Sequence, residues 1–151
     1  MKILGLDLST RESGWAIYNK KLKYGSFKTP YKLKGVLAME YQATKIKELI
    51  EKEKPKKIII EDTFLGKYNP YMYKTISRLG GWVGLKSYFD KRNYCYVMAC
   101  KARKKVGIKG NASKKEIIKK LKELFNIEVK NHNIADAIVL VLSETKNELE
   151  K

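Results

Sequence analysis

The N-terminal part of the chain alternates between apolar and polar positions in the way that is typical of short strands. The alternation covers Lys2–Leu8, Gly14–Tyr18 and Leu22–Phe27. A tight polar turn, Asn19-Lys20-Lys21, joins the last two segments. Short strands that follow one another through tight turns favour antiparallel pairing. The pattern therefore predicts an antiparallel meander of three strands.

Helical periodicity alternates with two further strands in the rest of the chain. Apolar residues at steps of three and four follow Val36 until Pro55 ends the pattern. The remaining predicted elements are a strand at Lys56–Glu61 covered on both faces, a loop at Thr63–Pro70, a helix at Tyr71–Phe89, a strand at Tyr94–Met98, a helix opened by the capping box Ser113-x-x-Glu116, and a helix at Ile134–Leu142 packed closely on a sheet. This order, β-β-β-α-β-α-β-α-α, predicts one α/β domain over residues 1–151, with a mixed sheet covered by helices.

The charge of the chain favours a polyanionic partner. Lys and Arg number 33 against 16 Asp and Glu, which gives a net charge of +17. The stretch 101–122 holds ten basic residues and one acid, and the stretch 20–34 holds six basic residues and no acid. Such segments bind phosphate backbones through counterion release. The alternative is an ordinary solvated surface rich in lysine.

Several classes of protein are excluded by the same composition. The longest apolar run, Ile134–Leu142, contains Asp136 and falls short of the roughly 20 residues of a membrane span. Asp7 interrupts the segment that a signal peptide would need to keep apolar. Cys95 and Cys100 have no zinc-binding or redox spacing, which fits a reducing cytosol. We therefore expect a cytoplasmic protein with no membrane partner and no small-molecule substrate.

Three acids occupy apolar surroundings in which an isolated carboxylate is unfavourable. Asp7 lies in the first strand, Glu61 ends the Ile-Ile-Ile strand, and Asp136 lies in the last helix. If the two strands are parallel neighbours, their acids emerge at one sheet edge, and a docked helix would add Asp136. Converging carboxylates repel one another, and Mg²⁺ or Mn²⁺ would relieve the repulsion. Asn133 and His132 lie on the same helical face as Asp136 and are further candidate ligands.

Each of these residues also has a simpler interpretation. Asp7 would be a turn or cap residue paired with a lysine, and Asp136 would cap a helix or form a salt bridge. Glu61 would be a solvated strand end, with Asp62 as the ligand in its place. His132 would be a surface residue at a helix end, and Asn133 an N-cap.

The order of these motifs resembles the RuvC-type Holliday junction resolvases, a family with an RNase H-like fold. The resemblance covers nearly the whole chain. It is carried by Ile3–Ser9 with Gly14–Ile17, by Ile58–Glu61 with Phe64, by Arg78-Leu79-Gly80 with Gly84, by Val106–Ile108 with Gly110–Ala112 and Lys114, and by Ala135–Ala137. The compact length is similar to that of phage-type members.

The resemblance implies both a fold and an activity. The fold would be a five-stranded mixed sheet, an antiparallel β1-β2-β3 meander plus parallel β4 and β5, with helices on both faces. The activity would be paired, symmetric, Mg²⁺-dependent nicking of four-way DNA junctions that leaves 5′-phosphate and 3′-hydroxyl ends. One or two Mg²⁺ ions per subunit, or Mn²⁺ in their place, would be held by the catalytic set Asp7, Glu61, Asp136 and Asn133. The family commonly has an acid, or sometimes His, at the position of Asn133, so His132 remains an alternative ligand.

The resemblance also implies contacts with DNA and with a second subunit. The predicted DNA-binding residues are Arg103, Lys104, Lys105, Lys109, Tyr68, Tyr73 and Arg78, with Lys114 placed to offset charge on the phosphate. Tyr71 is a further candidate for stacking on bases, although ordinary packing is the alternative for all three tyrosines. A homodimer would form through the Tyr71–Phe89 helix, with Gly80 and Gly84 allowing close helix–helix approach. The alternative is a helix packed only on its own sheet.

Other functions remain open at this point. The chain would be another RNase H-like nuclease acting on branched DNA or an RNA–DNA hybrid, or a nucleic-acid-binding module without catalysis. A sugar-kinase or actin-like ATPase is suggested by the segment Gly5–Thr10, but those proteins need two such domains.

Overall fold

A single mixed sheet forms the centre of the molecule in the computed structural model, which describes residues 1–67 and 69–149. Its strands are β1 Ile3–Asp7, β2 Glu12–Asn19, β3 Lys21–Lys28, β4 Lys57–Glu61 and β5 Asn93–Val97, in the order β3-β2-β1-β4-β5. The three N-terminal strands pair in antiparallel fashion, whereas β4 runs parallel to both β1 and β5. The predicted meander and parallel strands are confirmed.

Five helices and one 3-10 turn complete the described chain. They are α1 Val36–Glu53, α2 Pro70–Phe89, α3 Ala99–Lys105, α4 Lys114–Phe125 and α5 His132–Leu149, with the 3-10 turn at Leu65–Lys67. The sequence did not predict α3. This helix has only 7 residues, and Met98 before it provides no side-chain cap. It is therefore too short to show periodicity and lacks the usual signal of a helix start.

The centre of the sheet is buried on both faces, as the apolar run in β4 predicts. Ile58 and Ile60 pack into a cluster with α1 and α2, whereas Ile59 packs into a cluster with α3, α4 and α5. All three side chains are 0% exposed. The alternation places two helices over one face and three over the other.

Two glycines let α5 lie directly against the sheet. A Cβ at Gly5 would lie 2.7 Å from the backbone oxygen of Ala137, and a Cβ at Gly14 would lie 2.0 Å from that of Asn133. Neither distance leaves room for a side chain. Gly14 is also the ladder partner of Asp7. The first turns of α5 are therefore held over the end of β1.

Asn131, rather than Asn133, caps the start of α5. Its Oδ1 accepts hydrogen bonds from the backbone N–H groups of Asn133 (2.9 Å) and Ile134 (3.3 Å). Its Nδ2 donates to Glu12 on β2 at 2.8 Å. The interpretation of Asn133 as an N-cap is therefore wrong, because Asn131 satisfies these backbone groups.

The glycines of α2 differ from their predicted role. Gly80 and Gly84 are buried, and a Cβ at Gly84 would lie 2.2 Å from the hydroxyl oxygen of Tyr96 on β5. The Tyr96 hydroxyl donates to the carbonyl of Gly80 at 3.0 Å. The prediction that these two glycines approach a partner helix is wrong, because they admit the tyrosines of β5. Gly81 is the glycine of this helix that faces open space, since an added Cβ would meet no described atom within 4 Å.

No helix in the two described stretches of chain has both the length and the apolar character that crossing a membrane requires.

Candidate active site

Two parallel strands deliver two acids to the same edge of the sheet. Asp7 is the last residue of β1, Glu61 is the last residue of β4, and the two strands are in register through the pair Leu6–Ile60. The carboxyl ends of neighbouring parallel strands lie side by side, so the two carboxylates meet. The prediction that β1 and β4 are parallel neighbours is thus confirmed.

Helix α5 adds the third acid. One carboxylate oxygen from each of Asp7, Glu61 and Asp136 lies within 4.8 Å of the other two. The three residues are 6%, 8% and 7% exposed, respectively. Among the His, Cys, Asp and Glu side chains of the described residues, these three form the cluster that is able to hold a metal ion. The convergence predicted from three separate segments of sequence is present.

The chemistry of this donor set fits a divalent cation. Three carboxylates buried at such separations repel one another, and desolvation increases the repulsion. Mg²⁺ and Mn²⁺ favour hard oxygen ligands of this kind. The three clustered ligands are all carboxylates, and a set of this kind favours Mg²⁺ or Mn²⁺ over zinc, which is usually bound by Cys and His.

The alternatives for Glu61 are decided by burial. At 8% exposure, Glu61 is not a solvated strand end. Asp62 is exposed and lies outside the three-acid cluster, although it borders the clefts beside the cluster. The backbone N–H of Asp62 donates to the carbonyl of Val97 at 2.9 Å, which continues the β4–β5 pairing. Glu61 is therefore the acid of this pair that belongs to the site.

An arginine from α3 contacts the cluster. The Nη2 of Arg103 donates to Oδ1 of Asp136 at 3.1 Å, and its Nη1 donates to the carbonyl of Gly110 at 3.1 Å. The side chains of this ion pair are 15% and 9% exposed. Asp136 therefore forms the predicted salt bridge and is also a member of the acid cluster. Sequence reasoning assigned Arg103 only to DNA, because the pair joins residues 33 positions apart on elements with no shared pattern.

Asn133 and His132 occupy the first turn of α5. Asn133 is partly buried, and its backbone carbonyl faces Gly14. His132 is also partly buried and is not a member of the three-acid cluster. Their roles as metal ligands stay predictions.

Two clefts open beside Glu61 and Asp62. One, of about 210 Å³, lies toward α2 and is bordered by Tyr73 and Ser77. The other, of about 310 Å³, lies toward α3 and is bordered by Phe64 and Arg103. Tyr73 therefore lies next to the acid cluster, as its predicted contact with DNA requires. Tyr68 lies outside the described residues.

The remaining predicted DNA-binding residues are surface cations. Arg78 is exposed on α2, Lys104 and Lys105 are exposed on α3, Lys109 is exposed in the following loop, and Lys114 is exposed at the start of α4. Lys105 also pairs with Glu144 at 3.5 Å. The capping box predicted at Ser113 is present and fixes the start of α4 beside Lys114. Of the basic segment, Arg103 and Gly110 border the cleft beside Glu61. Lys105 lies farther away, because its partner Glu144 also pairs with Lys57 at the opposite end of β4 from Glu61.

Comparison with known proteins identifies the family. The sequence model described as "Crossover junction endodeoxyribonuclease RuvC" matches residues 3–144. The chain belongs to the RuvC family. A RuvC of Campylobacter concisus named as a crossover junction endodeoxyribonuclease is 28% identical over 158 residues, covering 97% of this chain and 98% of the relative.

Solved RuvC-type structures share the fold. A Thermus thermophilus RuvC in complex with Holliday junction substrate has a TM-score of 0.77 at 13% identity, covering 99% of this chain and 96% of the other. The resolvase of Fowlpox virus, in complex with substrate Holliday junction DNA, has a TM-score of 0.61 at 16% identity and covers 99% of both chains. The predicted resemblance to RuvC is confirmed.

Proposed function

We propose that this protein is a structure-specific DNA endonuclease that resolves four-way junctions by paired, symmetric, Mg²⁺-dependent nicks. The products carry 5′-phosphate and 3′-hydroxyl ends, which a ligase seals. The observation that carries the proposal is the buried cluster of Asp7, Glu61 and Asp136 in a RuvC-family chain of net charge +17. Relatives named as crossover junction endodeoxyribonucleases, and a related RuvC solved with junction substrate, support it.

The three clustered acids are the proposed cation ligands, with Asn133 as the fourth candidate and His132 as its alternative. A divalent cation held there supplies positive charge that stabilises the transition state of phosphodiester hydrolysis and favours deprotonation of the attacking water. Mg²⁺ is the proposed ion, in one or two copies, and Mn²⁺ is expected to replace it. The burial of the acids shields their carboxylates from water, so that their attraction to a bound cation would be screened little.

Surface cations bring the DNA to this site. Lys104, Lys105 and Lys109 are proposed to contact the phosphate backbone, and Lys114 to offset charge on the scissile phosphate. Tyr73, together with Arg78 on the same helix, is proposed to contact the DNA on the α2 side of the cluster. Tyr68 is a further proposed DNA contact. The net charge of +17 favours this arrangement, because it attracts phosphates over the whole basic surface.

A symmetric pair of cuts requires two active sites, which a C2 dimer provides. We propose that the exposed side of α2 forms this dimer. Leu85, Tyr88 and Phe89 are 59%, 65% and 75% exposed there, next to the open face of Gly81. An apolar surface of this kind is typical of protein–protein contacts. The proposed interface uses the same helix as predicted, but the face away from Gly80 and Gly84.

Two broader expectations belong to the same proposal. Residues 1–151 are proposed to form a single nuclease domain, built on the one sheet described above. A cytoplasmic location is proposed because Cys95 and Cys100 are both free thiols, which fits a reducing compartment.

Cleavage of a labelled junction tests the proposal. With Mg²⁺ we expect two nicks at matching positions in opposite strands of a four-way junction, and DNA ligase should seal them. No cleavage is expected with EDTA. The Asp7→Asn variant should bind the junction without cutting it. Faster cleavage of an RNA–DNA hybrid than of the junction would favour the other nuclease class. Binding without cleavage by the unaltered protein in Mg²⁺ or Mn²⁺ would favour a non-catalytic module.

A further inference from the structure

The guanidinium of Arg103 is a positive charge built into the acid cluster. It lies 3.1 Å from Oδ1 of Asp136, and the pair is largely shielded from solvent, with side chains 15% and 9% exposed. Charge-assisted hydrogen bonds between buried partners are strong, because water neither screens nor replaces them. Asp136 is therefore already neutralised in part by the protein itself.

The position of Arg103 is fixed from three sides. Its backbone belongs to α3, which packs on α5. Its Nη1 donates to the carbonyl of Gly110, and its Nε is buried without a hydrogen-bond partner among the described residues. Burial of an N–H donor without an acceptor is unfavourable unless other contacts of the same side chain compensate for it. The ion pair with Asp136 provides this compensation, so the guanidinium is held at the carboxylate and does not turn toward solvent.

We propose that Arg103 acts as an internal counter-ion that competes with the divalent cation for Asp136. This inference rests on the proposed function, since it assumes that the acids hold a cation. A guanidinium and a divalent cation both attract the same carboxylate and repel each other. Arg103 thus keeps the cluster stable before the cation binds and lowers the affinity of the cation. It is a positioning residue, because its contact is with the ligand Asp136.

Mn²⁺ binding to the DNA-free protein tests the proposal. The test variant is Arg103→Gln, and Lys104→Gln is the matched control, since it makes the same change in net charge on the same helix at an exposed position. We expect Arg103→Gln to bind Mn²⁺ about 10-fold tighter than Lys104→Gln, because a like charge adjacent to the site is removed. Arg103→Lys should retain most of the wild-type affinity. Isothermal titration calorimetry or electron paramagnetic resonance measures all four proteins.

The outcomes separate the possible roles. Equal Mn²⁺ affinities for Arg103→Gln and Lys104→Gln, or weaker binding by Arg103→Gln, would overturn the counter-ion role. Circular dichroism and a urea titration identify a variant that does not fold, in which case Arg103→Met against Lys104→Met gives the comparison, with the same expected difference in Mn²⁺ affinity. Because no DNA is present, a protein that binds Mn²⁺ as expected but cuts no junction would contradict the proposed function and leave this inference intact.

The loop from Pro30 to Gly35 joins β3 to α1. Tyr31 at its tip is 85% exposed, with Lys34 Nζ 5.2 Å from the centre of its ring. The loop is nevertheless braced. Arg11 donates a hydrogen bond to the carbonyl of Leu33. The loop therefore presents an aromatic ring to solvent from a fixed base.

The base of the loop is joined to the turn that follows Asp7. The hydroxyl of Thr29 donates to the carbonyl of Thr10 at 2.6 Å. The buried amide of Gln42 in turn donates to the Thr29 hydroxyl at 2.8 Å. The base of the loop that carries Tyr31 is thus joined to the turn after β1.

A cleft of about 250 Å³ separates this loop from the start of α2. Tyr31 and Tyr71 border it together with Met72, and Arg11 and Lys34 supply positive charge. No acid lines it among the described residues. Aromatic faces beside cations are the features that bind unstacked bases and their phosphates. We infer that the cleft binds a nucleobase that has left the DNA stack, with Tyr31 as its stacking surface.

A bulged duplex tests this second inference, which also rests on the chain being a DNA-binding protein. The two probes are a duplex with one unpaired adenine and the same duplex with an abasic residue in place of that adenine, both in Ca²⁺. We expect the wild type and Tyr31→Phe to prefer the adenine bulge by about fivefold or more, the effect of one stacked base. Tyr31→Ala should lose this preference, whereas Tyr24→Ala, a change of another exposed tyrosine on β3, should keep it.

The comparison between bulges isolates the base from the backbone. Tyr31→Ala with an unchanged preference, or a wild type without any preference, would overturn the inference. Neither result depends on cleavage, so both are independent of the test of the nuclease activity. A wild-type protein that cuts no junction but prefers the adenine bulge would count against the proposed function alone.

Discussion

Two adjacent acids at the end of β4 have opposite environments. Glu61 is 8% exposed and belongs to the acid cluster, whereas Asp62 is exposed at the edge of the flanking clefts. Because strand side chains alternate between faces, neighbouring residues cannot both point into the cluster. The pair therefore offers a natural internal comparison for the role of a single carboxylate.

We predict that Glu61→Gln lowers junction cleavage by at least about 1,000-fold, since one cation ligand contributes several kcal/mol to the transition state. Asp62→Asn should retain cleavage within about 10-fold. Single-turnover cleavage of a labelled junction in saturating Mg²⁺ measures both. A larger loss of cleavage for Asp62→Asn than for Glu61→Gln would show that Asp62, and not Glu61, is the cation ligand.

Residue identity predicts the acids well and their partners poorly. Asp7, Glu61 and Asp136 stand out in the sequence because acids are rare in apolar segments of a basic chain. The Arg103–Asp136 pair has no such signal, because an arginine in a lysine-rich stretch looks like one more surface cation. Asn131 had a weak signal, as an amide just before a helical stripe, but Asn133 fits that role equally well from sequence.

At the scale of elements, the seating of α5 on the sheet controls the geometry of the site. The helix lies over Gly5 and Gly14, and it carries Asp136 on the same surface. The sequence predicts this close packing from the small alanines of the helix. The short helix α3 was missed, because 7 residues provide fewer than two full repeats of the helical pattern.

We predict that Gly14→Ala destabilises the protein by about 1–3 kcal/mol, because its Cβ overlaps the backbone of Asn133 and α5 must move. Gly81→Ala is the control. Its Cβ enters open space, so alanine should stabilise α2 by up to about 1 kcal/mol through helix propensity. Urea unfolding followed by circular dichroism measures both, and a stability loss for Gly81→Ala equal to that for Gly14→Ala would contradict the packing described here.

A smaller effect is expected at the start of α4. Ser113 accepts from the N–H of Glu116 at 3.2 Å, and Glu116 accepts from the N–H of Ser113 at 3.3 Å. We predict that Ser113→Ala lowers the free energy of unfolding by about 1 kcal/mol, the usual contribution of an N-cap. The same urea titration measures it. An unchanged midpoint would show that the cap is not formed in solution.

At the scale of the whole molecule, positive charge and the apolar face of α2 are the surface properties on which the proposed assembly depends. The net charge of +17 favours DNA over the entire basic surface, whereas the exposed apolar side chains of α2 favour a second subunit. These two properties act at long range and at contact range, respectively. They are therefore separable by experiment.

We predict that junction binding weakens steeply with salt, with a slope of about −0.9 for each phosphate neutralised. Lys114→Gln should reduce the magnitude of the slope by about 0.9, whereas Lys47→Gln on α1, whose amine already pairs with Glu51 at 2.8 Å, should leave it unchanged. Fluorescence anisotropy in Ca²⁺ from 50 to about 200 mM salt measures the slopes. Equal slopes for all three proteins would remove Lys114 from the DNA contacts.

We predict that Leu85→Glu dissociates the dimer, since it places a charge in an apolar contact between subunits. Light scattering coupled to size exclusion should give twice the 17.5 kDa chain mass for the wild type and the chain mass for the variant. The variant is expected to make single, unpaired nicks in the junction. A wild-type monomer, or a Leu85→Glu dimer, would contradict the placement of the interface on this face of α2.

The contact of α5 with Gly5 and Gly14 belongs both to the acid cluster and to the packed core, so neither can change without the other. A methyl group added at Gly5 or Gly14 would strain the same contact that delivers Asp136. Such substitutions are therefore natural sources of conditional alleles, in which the enzyme works in cool cells and fails on warming. Loss of cutting would then follow the melting of the helix, and the two transitions would share one midpoint.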